Sequence, residues 1–116
     1  MRIELTDSFH THMQRCYPKL KVAEECVEEI MGVTLEQMRG KDRRRYISMA
    51  RCIFSNLTHE EITPTYHLAS YLNRDHGTLI WFRRQYDNMI EFDKGFKGIS
   101  EKVTKLFNEK IKDGIF

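Results

Sequence analysis

Four hydrogen-bonding side chains crowd into the five positions from 74 to 78 in the stretch "NRDHGTL": Arg74, Asp75, His76 and Thr78, with glycine at 77. The stretch reads as a tight turn that opens an apolar-striped helix. The first turn of a helix carries unpaired N–H groups and a partial positive charge, so it can rest on a phosphate while its side chains reach outward. Asp75 is the expected N-cap. Capping occupies one carboxylate oxygen and leaves the other able to accept from the amino group of cytosine or adenine. The chemistry this suggests is recognition of a nucleic acid, not turnover of a substrate.

The cations are distributed to match. Net charge is only +2, yet residues 39–51, "RGKDRRRYISMAR", hold six basic side chains against one acidic one. Residues 1–38 lean the other way, with four basic and seven acidic. A clustered basic block favours a polyphosphate partner; on its own it reads equally as a solvated face. Arg43, Arg44 and Arg45 are consecutive, so they cannot all point one way. An arginine in a narrow minor groove gains from the concentrated negative potential there.

Other chemistries find little support. Cys16, Cys26 and Cys52 fit no zinc spacing and read as reduced thiols; His10 and His12 have no third ligand nearby. Cys52 has no histidine beside it in sequence to activate it. No catalytic residue, metal or cofactor is expected, and no enzyme. A Gly-x-x-x-x-Gly-Lys phosphate loop is missing, so no nucleotide partner is expected either. No apolar run reaches the length of a membrane span, and "MRIELTDSFHTHMQ" lacks the apolar core of a secretory signal. The expectation is a cytoplasmic, nucleoid-associated protein with 41% hydrophobic and 31% charged residues, ordinary for a soluble domain.

Helical periodicity recurs along the chain while strand signals are poor. Leu20, Ala23, Val27, Ile30 and Met31 predict a helix over about 18–31, closed by Gly32. Thr34 and Gln37 form a capping box that opens a short turn. A helix over about 43–56 follows, striped by Tyr46, Ala50, Ile53, Phe54 and Leu57, with Arg44, Arg45, Ser48 and Arg51 on its other faces. Pro64 precedes a short helix near 65–72 that turns Tyr66, Ala69 and Leu68 or Leu72 inward. Asn73 and Arg74 make the turn. The helix after Asp75 carries Leu79, Phe82, Tyr86, Met89 and Ile90; Trp81 lies off that stripe. Gly95 and Gly98 suggest a loop, and Ser100 a cap for a last helix with Val103, Leu106, Phe107 and Ile111. Short helix, tight turn, long helix is the helix-turn-helix layout.

At this point a family comes into view. "GKDRRRYISMAR", followed two dozen residues later by "NRDHGTL", resembles the C-terminal DNA-binding domain of the bacterial replication initiator DnaA. That family shows a K-x-R-x-R loop, then an arginine–glutamine pair on the next helix, then G-G-R-D-H-T-T-V. "VEEIMGVTLEQMRGK" resembles the family's approach to the loop, so the likeness covers about residues 20–92. The resemblance implies an all-α helix-turn-helix bundle of about five to six helices, similar to the DnaA C-terminal or Trp-repressor-like fold. It implies residues 1–16 as an N-terminal segment without defined order, 17–92 as the DNA-binding domain, and 93–116 as a loop and helix packed on it.

The resemblance also implies roles. Arg43 matches the arginine that enters the minor groove, with Arg44 and Arg45 beside it in the basic loop. Arg51 matches the arginine that reaches the major groove. Within the Arg74, Asp75, His76 match, Asp75 and His76 contact base edges. Thr78 and Lys41 match phosphate contacts, and Lys41, Arg45, Arg51, Arg74 and Thr78 together are expected to hold the DNA backbone. Cys52 stands where the family has a glutamine, Gly77 where it has a threonine, and Asn73 where it has paired glycines. These departures fall at reading positions, so the same docking mode with a different target is implied. The function expected is sequence-specific binding of double-stranded DNA in replication or mobile-element regulation. The alternative is a protein-interaction module that docks a replication or transposition protein and binds DNA only weakly.

Overall fold

The computed structural model describes residues 2–60, 62 and 65–114, with side chains from Phe9 onward. Among these there are seven helices and no strand: α1 (Arg2–Cys16), α2 (Lys19–Met31), α3 (Leu35–Arg39), α4 (Arg45–Thr58), α5 (Thr65–Tyr71), α6 (His76–Phe92) and α7 (Lys94–Asp113). The chain is an all-α bundle, with more helices than the five or six expected. Pro64 lies outside the described residues.

Local signals set most of the boundaries. Gly32 closes α2 at φ 71°, in the left-handed region, and its N–H reaches the Glu28 carbonyl. Thr34 Oγ1 accepts from the Gln37 N–H at 3.1 Å while Gln37 Oε1 accepts from the Thr34 N–H at 2.9 Å, which completes the capping box of α3. Asn73 carries the turn between α5 and α6 at φ 57°, a conformation asparagine tolerates better than most residues. Asp75 then caps α6 through the Thr78 N–H at 2.7 Å.

Around these, α2, α4, α5 and α6 pack on one core. Ala23, Val27, Ala50, Phe54, Leu68, Leu72 and Leu79 are almost fully buried there. α7 lies along α2 and also meets α6 and α4, with Phe96, Val103 and Phe107 turned inward.

Three expectations need correction. Residues 93–99 are not a loop before a Ser100 cap: α7 starts at Lys94, capped by Asp93 through the Phe96 N–H at 3.0 Å. Gly95 and Gly98 sit inside the helix, and Ser100 is buried with its hydroxyl 2.7 Å from that of Tyr86. Residues 2–16 form α1, which presses His10 and Met13 inward. Tyr46 and Tyr66, assigned to inward stripes, are 42% and 57% exposed, while Ile47 and Tyr71 fill the buried positions.

Candidate nucleic-acid interface

The site begins at the C-terminus of α3. A helix end presents carbonyls with no partner inside the helix. Here two guanidinium groups supply partners, as the negative end of the helix dipole favours. Arg51, from the middle of α4, donates through Nε to the Met38 carbonyl at 2.8 Å. Its Nη2 reaches the Gln37 carbonyl at 3.2 Å and the Gly40 carbonyl at 3.0 Å. Arg74, from the turn before α6, donates to the Arg39 carbonyl at 3.1 Å and also to that of Gly40. Arg74 further holds the Leu72 and Asn73 carbonyls at 3.2 and 3.1 Å. Arg51 is 3% exposed. The expectation that it lies on an outer face, free to reach a groove, is corrected: its donors face backbone oxygens, which is what makes burial of a charge tolerable.

These two cations are also close enough to repel. Burial holds the Arg51 guanidinium below its ordinary pKa, and the nearby Arg74 adds to the effect. Arg74 is lowered by burial and then by Arg43. A positive cluster is thus built around one short helix end.

The basic loop divides into tied and untied arginines. Arg44 folds back on Asp42, with Nη2 2.6 Å from Oδ2 and its own backbone N–H on Oδ1 at 2.9 Å. Those bonds hold the Asp42 carboxyl below the usual range. Arg45 reaches Asp93 at 2.6 Å, and Asp93 also caps α7. Arg43 and Lys41 are exposed, and neither is held by a hydrogen bond or ion pair among the described residues. Of three consecutive arginines, Arg43 is the one left to face outward uncommitted.

Lys41, Arg43, Arg51 and Arg74 line a cleft of 730 Å³ together with Thr78, Trp81 and Phe82 of α6 and Ser48 of α4. No carboxylate lines it among the described residues. Asp75 and His76, which follow Arg74 in the chain, are exposed, and Thr78 is half-buried. The Thr78 backbone N–H, and next its hydroxyl, hold the Asp75 carboxyl below the usual range, so it carries a negative charge and accepts bonds near neutral pH. The structure therefore brings Lys41, Arg43, Arg51, Arg74 and Thr78 to one cleft, with Asp75 and His76 exposed at the start of the helix that lines it. Arg51 is nearly buried against its carbonyl partners although it lines the cleft, and Arg44 and Arg45 are engaged by Asp42 and Asp93.

Ser48, Trp81 and Phe82 were not among the expected site residues. Helical spacing carries the signal for two of them: Trp81 is three residues beyond Thr78 and Ser48 three before Arg51, which puts each pair on one face. Cys52, where the family has a glutamine, is 1% exposed, and burial pushes its thiol up to about 12. It points into the core and cannot touch a ligand from there.

No group of three or more histidine, cysteine, aspartate or glutamate side chains is placed to hold a metal among the described residues, and no helix there is long and apolar enough to cross a membrane. Compared with known proteins, the chain matches no family model, no curated protein and no solved structure.

Proposed function

We propose that the chain is a sequence-reading, double-stranded DNA-binding domain in which α6 enters the major groove. One observation carries the reading: the exposed Asp75 and His76 open a 17-residue helix that also lines a cleft with Lys41 and Arg43, and no carboxylate is among the described residues lining it. In a helix-turn-helix the first residues of the second helix meet base edges. In the roles proposed, Asp75 accepts from a base amino group and His76 bonds a second base edge. Arg43 extends into the adjacent minor groove, where its charge is favoured. Lys41 and Thr78 hold phosphates. Arg51 and Arg74 position the loop that carries Lys41 and Arg43, and add charge without leaving their carbonyls. The resemblance to the initiator's DNA-binding domain supports a setting in bacterial replication or mobile-element control, close to the nucleoid.

The test is selection of bound duplexes from a random pool at about 150 mM salt, where non-specific binding is already weakened. Enrichment of a motif several base pairs long is the expected result. Salt-dependent binding with no enriched motif removes sequence reading. Absence of duplex binding at any salt favours the interaction module, for which the 76%-exposed Phe92 at the end of α6 is the supporting feature.

A further inference from the structure

Trp81 is the one tryptophan in the chain, and it is half exposed at the wall of the basic cleft. Its neighbour Phe82, buried, also lines the cleft, with ring centroids 5.8 Å apart at an interplanar angle of 60°. Thr78 lies one turn back on the same face of α6, and the cations of the loop and the turn line the same cleft. The cleft therefore offers an aromatic face and a positive wall within one concavity. Its 730 Å³ falls in the range of about 300–1,000 Å³ typical of sites for small ligands.

A paired, stacked base cannot use such an arrangement, because both its faces are already covered by neighbouring base pairs. A base that has left the stack has a free π-face, and an indole accepts it whatever the base. The ligand chemistry that fits is thus a phosphorylated nucleoside with its base free.

We infer that the cleft holds an unpaired nucleotide of a DNA strand, with its base on the Trp81 indole and its phosphate against Lys41. The inference rests on the reading of this surface as a DNA site and adds a preference to it. Duplexes carrying an unpaired tail or an extruded base are bound in preference to fully paired ones. The half-exposed indole, otherwise a liability on a polar surface, becomes the feature that makes the distinction.

The experiment uses the full chain and three probes: a blunt duplex, the same duplex with a short unpaired thymidine tail, and adenosine triphosphate. Affinities are read from the anisotropy of labelled DNA, and contact with the indole from tryptophan fluorescence, which here reports position 81 alone. The tailed duplex is expected to bind about tenfold more tightly than the blunt one and to quench the fluorescence, in line with the contribution of one stacked base. Trp81→Ala is expected to abolish the difference between the tailed and the blunt duplex, while Trp81→Phe retains most of it. Equal affinity for the two duplexes, or a preference that survives Trp81→Ala, overturns the inference. Quenching by adenosine triphosphate alone at comparable concentration overturns the strand as the source and leaves a free nucleotide as the ligand. The outcome is separable from the double-strand reading. A tail preference with no motif enriched from the duplex pool sinks that reading and keeps this one, and an enriched motif with no tail preference does the reverse.

Discussion

Arg51 and Arg74 donate to one and the same acceptor, the carbonyl oxygen of Gly40. One arrives from the middle of α4 and the other from the turn before α6, so the last residue of the α3 cap is gripped from both sides. The loop bearing Lys41 and Arg43 leaves from that point. Like charges meet at a single oxygen because the helix-end carbonyls around them offset their repulsion.

Removing one of these hands should be costly. Arg51→Met keeps the length and apolar stem of the side chain but leaves the Gln37 carbonyl without its guanidinium and weakens the hold on Met38 and Gly40. A buried polar group left unpaired costs about 1–3 kcal/mol, so urea unfolding should show a loss of roughly 2–4 kcal/mol. Arg51→Lys should recover less than half of that, because an ammonium cannot serve three separated carbonyls as a planar fork does. A lysine variant as stable as wild type would show that charge, not geometry, is what the α3 end requires.

The two DNA-facing roles separate by salt. Lys41→Ala should weaken binding to all duplexes alike and flatten the slope of log K against log salt by about one. His76→Ala should cost roughly tenfold or more at the preferred sequence and little on random DNA, with the slope unchanged. Titrations at three salt concentrations on both DNAs decide it. The same loss on specific and random DNA for both variants would dissolve the distinction between anchor and reader.

Gly98 and Gly77 both lie within helices, yet a side-chain methyl at Gly98 would meet nothing within 4 Å, and one at Gly77 only an Asp75 oxygen at 3.7 Å. Neither position requires glycine for the fold. Gly98→Ala should therefore stabilise the protein by up to about 1 kcal/mol, and Gly77→Ala by less, as it sits in the first turn. Thermal unfolding tests both. Binding then discriminates: Gly98→Ala is expected to leave DNA affinity untouched, and a loss confined to Gly77→Ala would reveal a close approach of the ligand to the α6 backbone.

Glu24 sets a pH dependence. Burial raises its pKa above the usual 4.5, against the lowering effect of hydrogen bonds from Tyr71 and Gln14. Because the folded value is the higher one, the folded state binds the proton more tightly, and the stabilisation is fully present below the unfolded pKa. It is lost as pH rises through the folded value. Glu24→Gln has no proton to lose. Wild type should thus fall in stability relative to Glu24→Gln as pH climbs from about 4 to 7, measured by urea unfolding at each end. A constant difference between the two proteins would mean that Glu24 feels the same surroundings folded and unfolded.

The features legible in the sequence are the local ones. Gly32, the Thr34–Gln37 box and Asp75 act within a few residues of themselves, so their types and spacing already specify the helix ends they make. Arg51 was not legible, because on a helical wheel a buried arginine looks like an exposed one, and its partners are carbonyls of a different helix. The start of α7 was hidden by two glycines that ordinarily break helices. Only the packing of Phe96 and Val103 into the core and the reach of Asp93 to the Phe96 N–H outweigh them. Among the site residues, the exposed set around Asp75 follows from turn and cap, whereas the sorting of Arg43 from Arg44 and Arg45 depends on Asp42 and on Asp93, far along the chain. The basic block was visible; which of its charges remain uncommitted was not.

The shared hold on Gly40 also turns the surface into a measuring device. The loop of Lys41 and Arg43 and the first turn of α6 are fastened to the same helix end, so the distance between them belongs to the scaffold and not to the length of a free loop. For a duplex ligand, one inserted base pair between the two contact points shifts one of them by about 3.4 Å along the axis. A protein braced in this way has little play with which to follow, so on the proposed reading the gap between its two contacts is itself a criterion that a duplex has to meet.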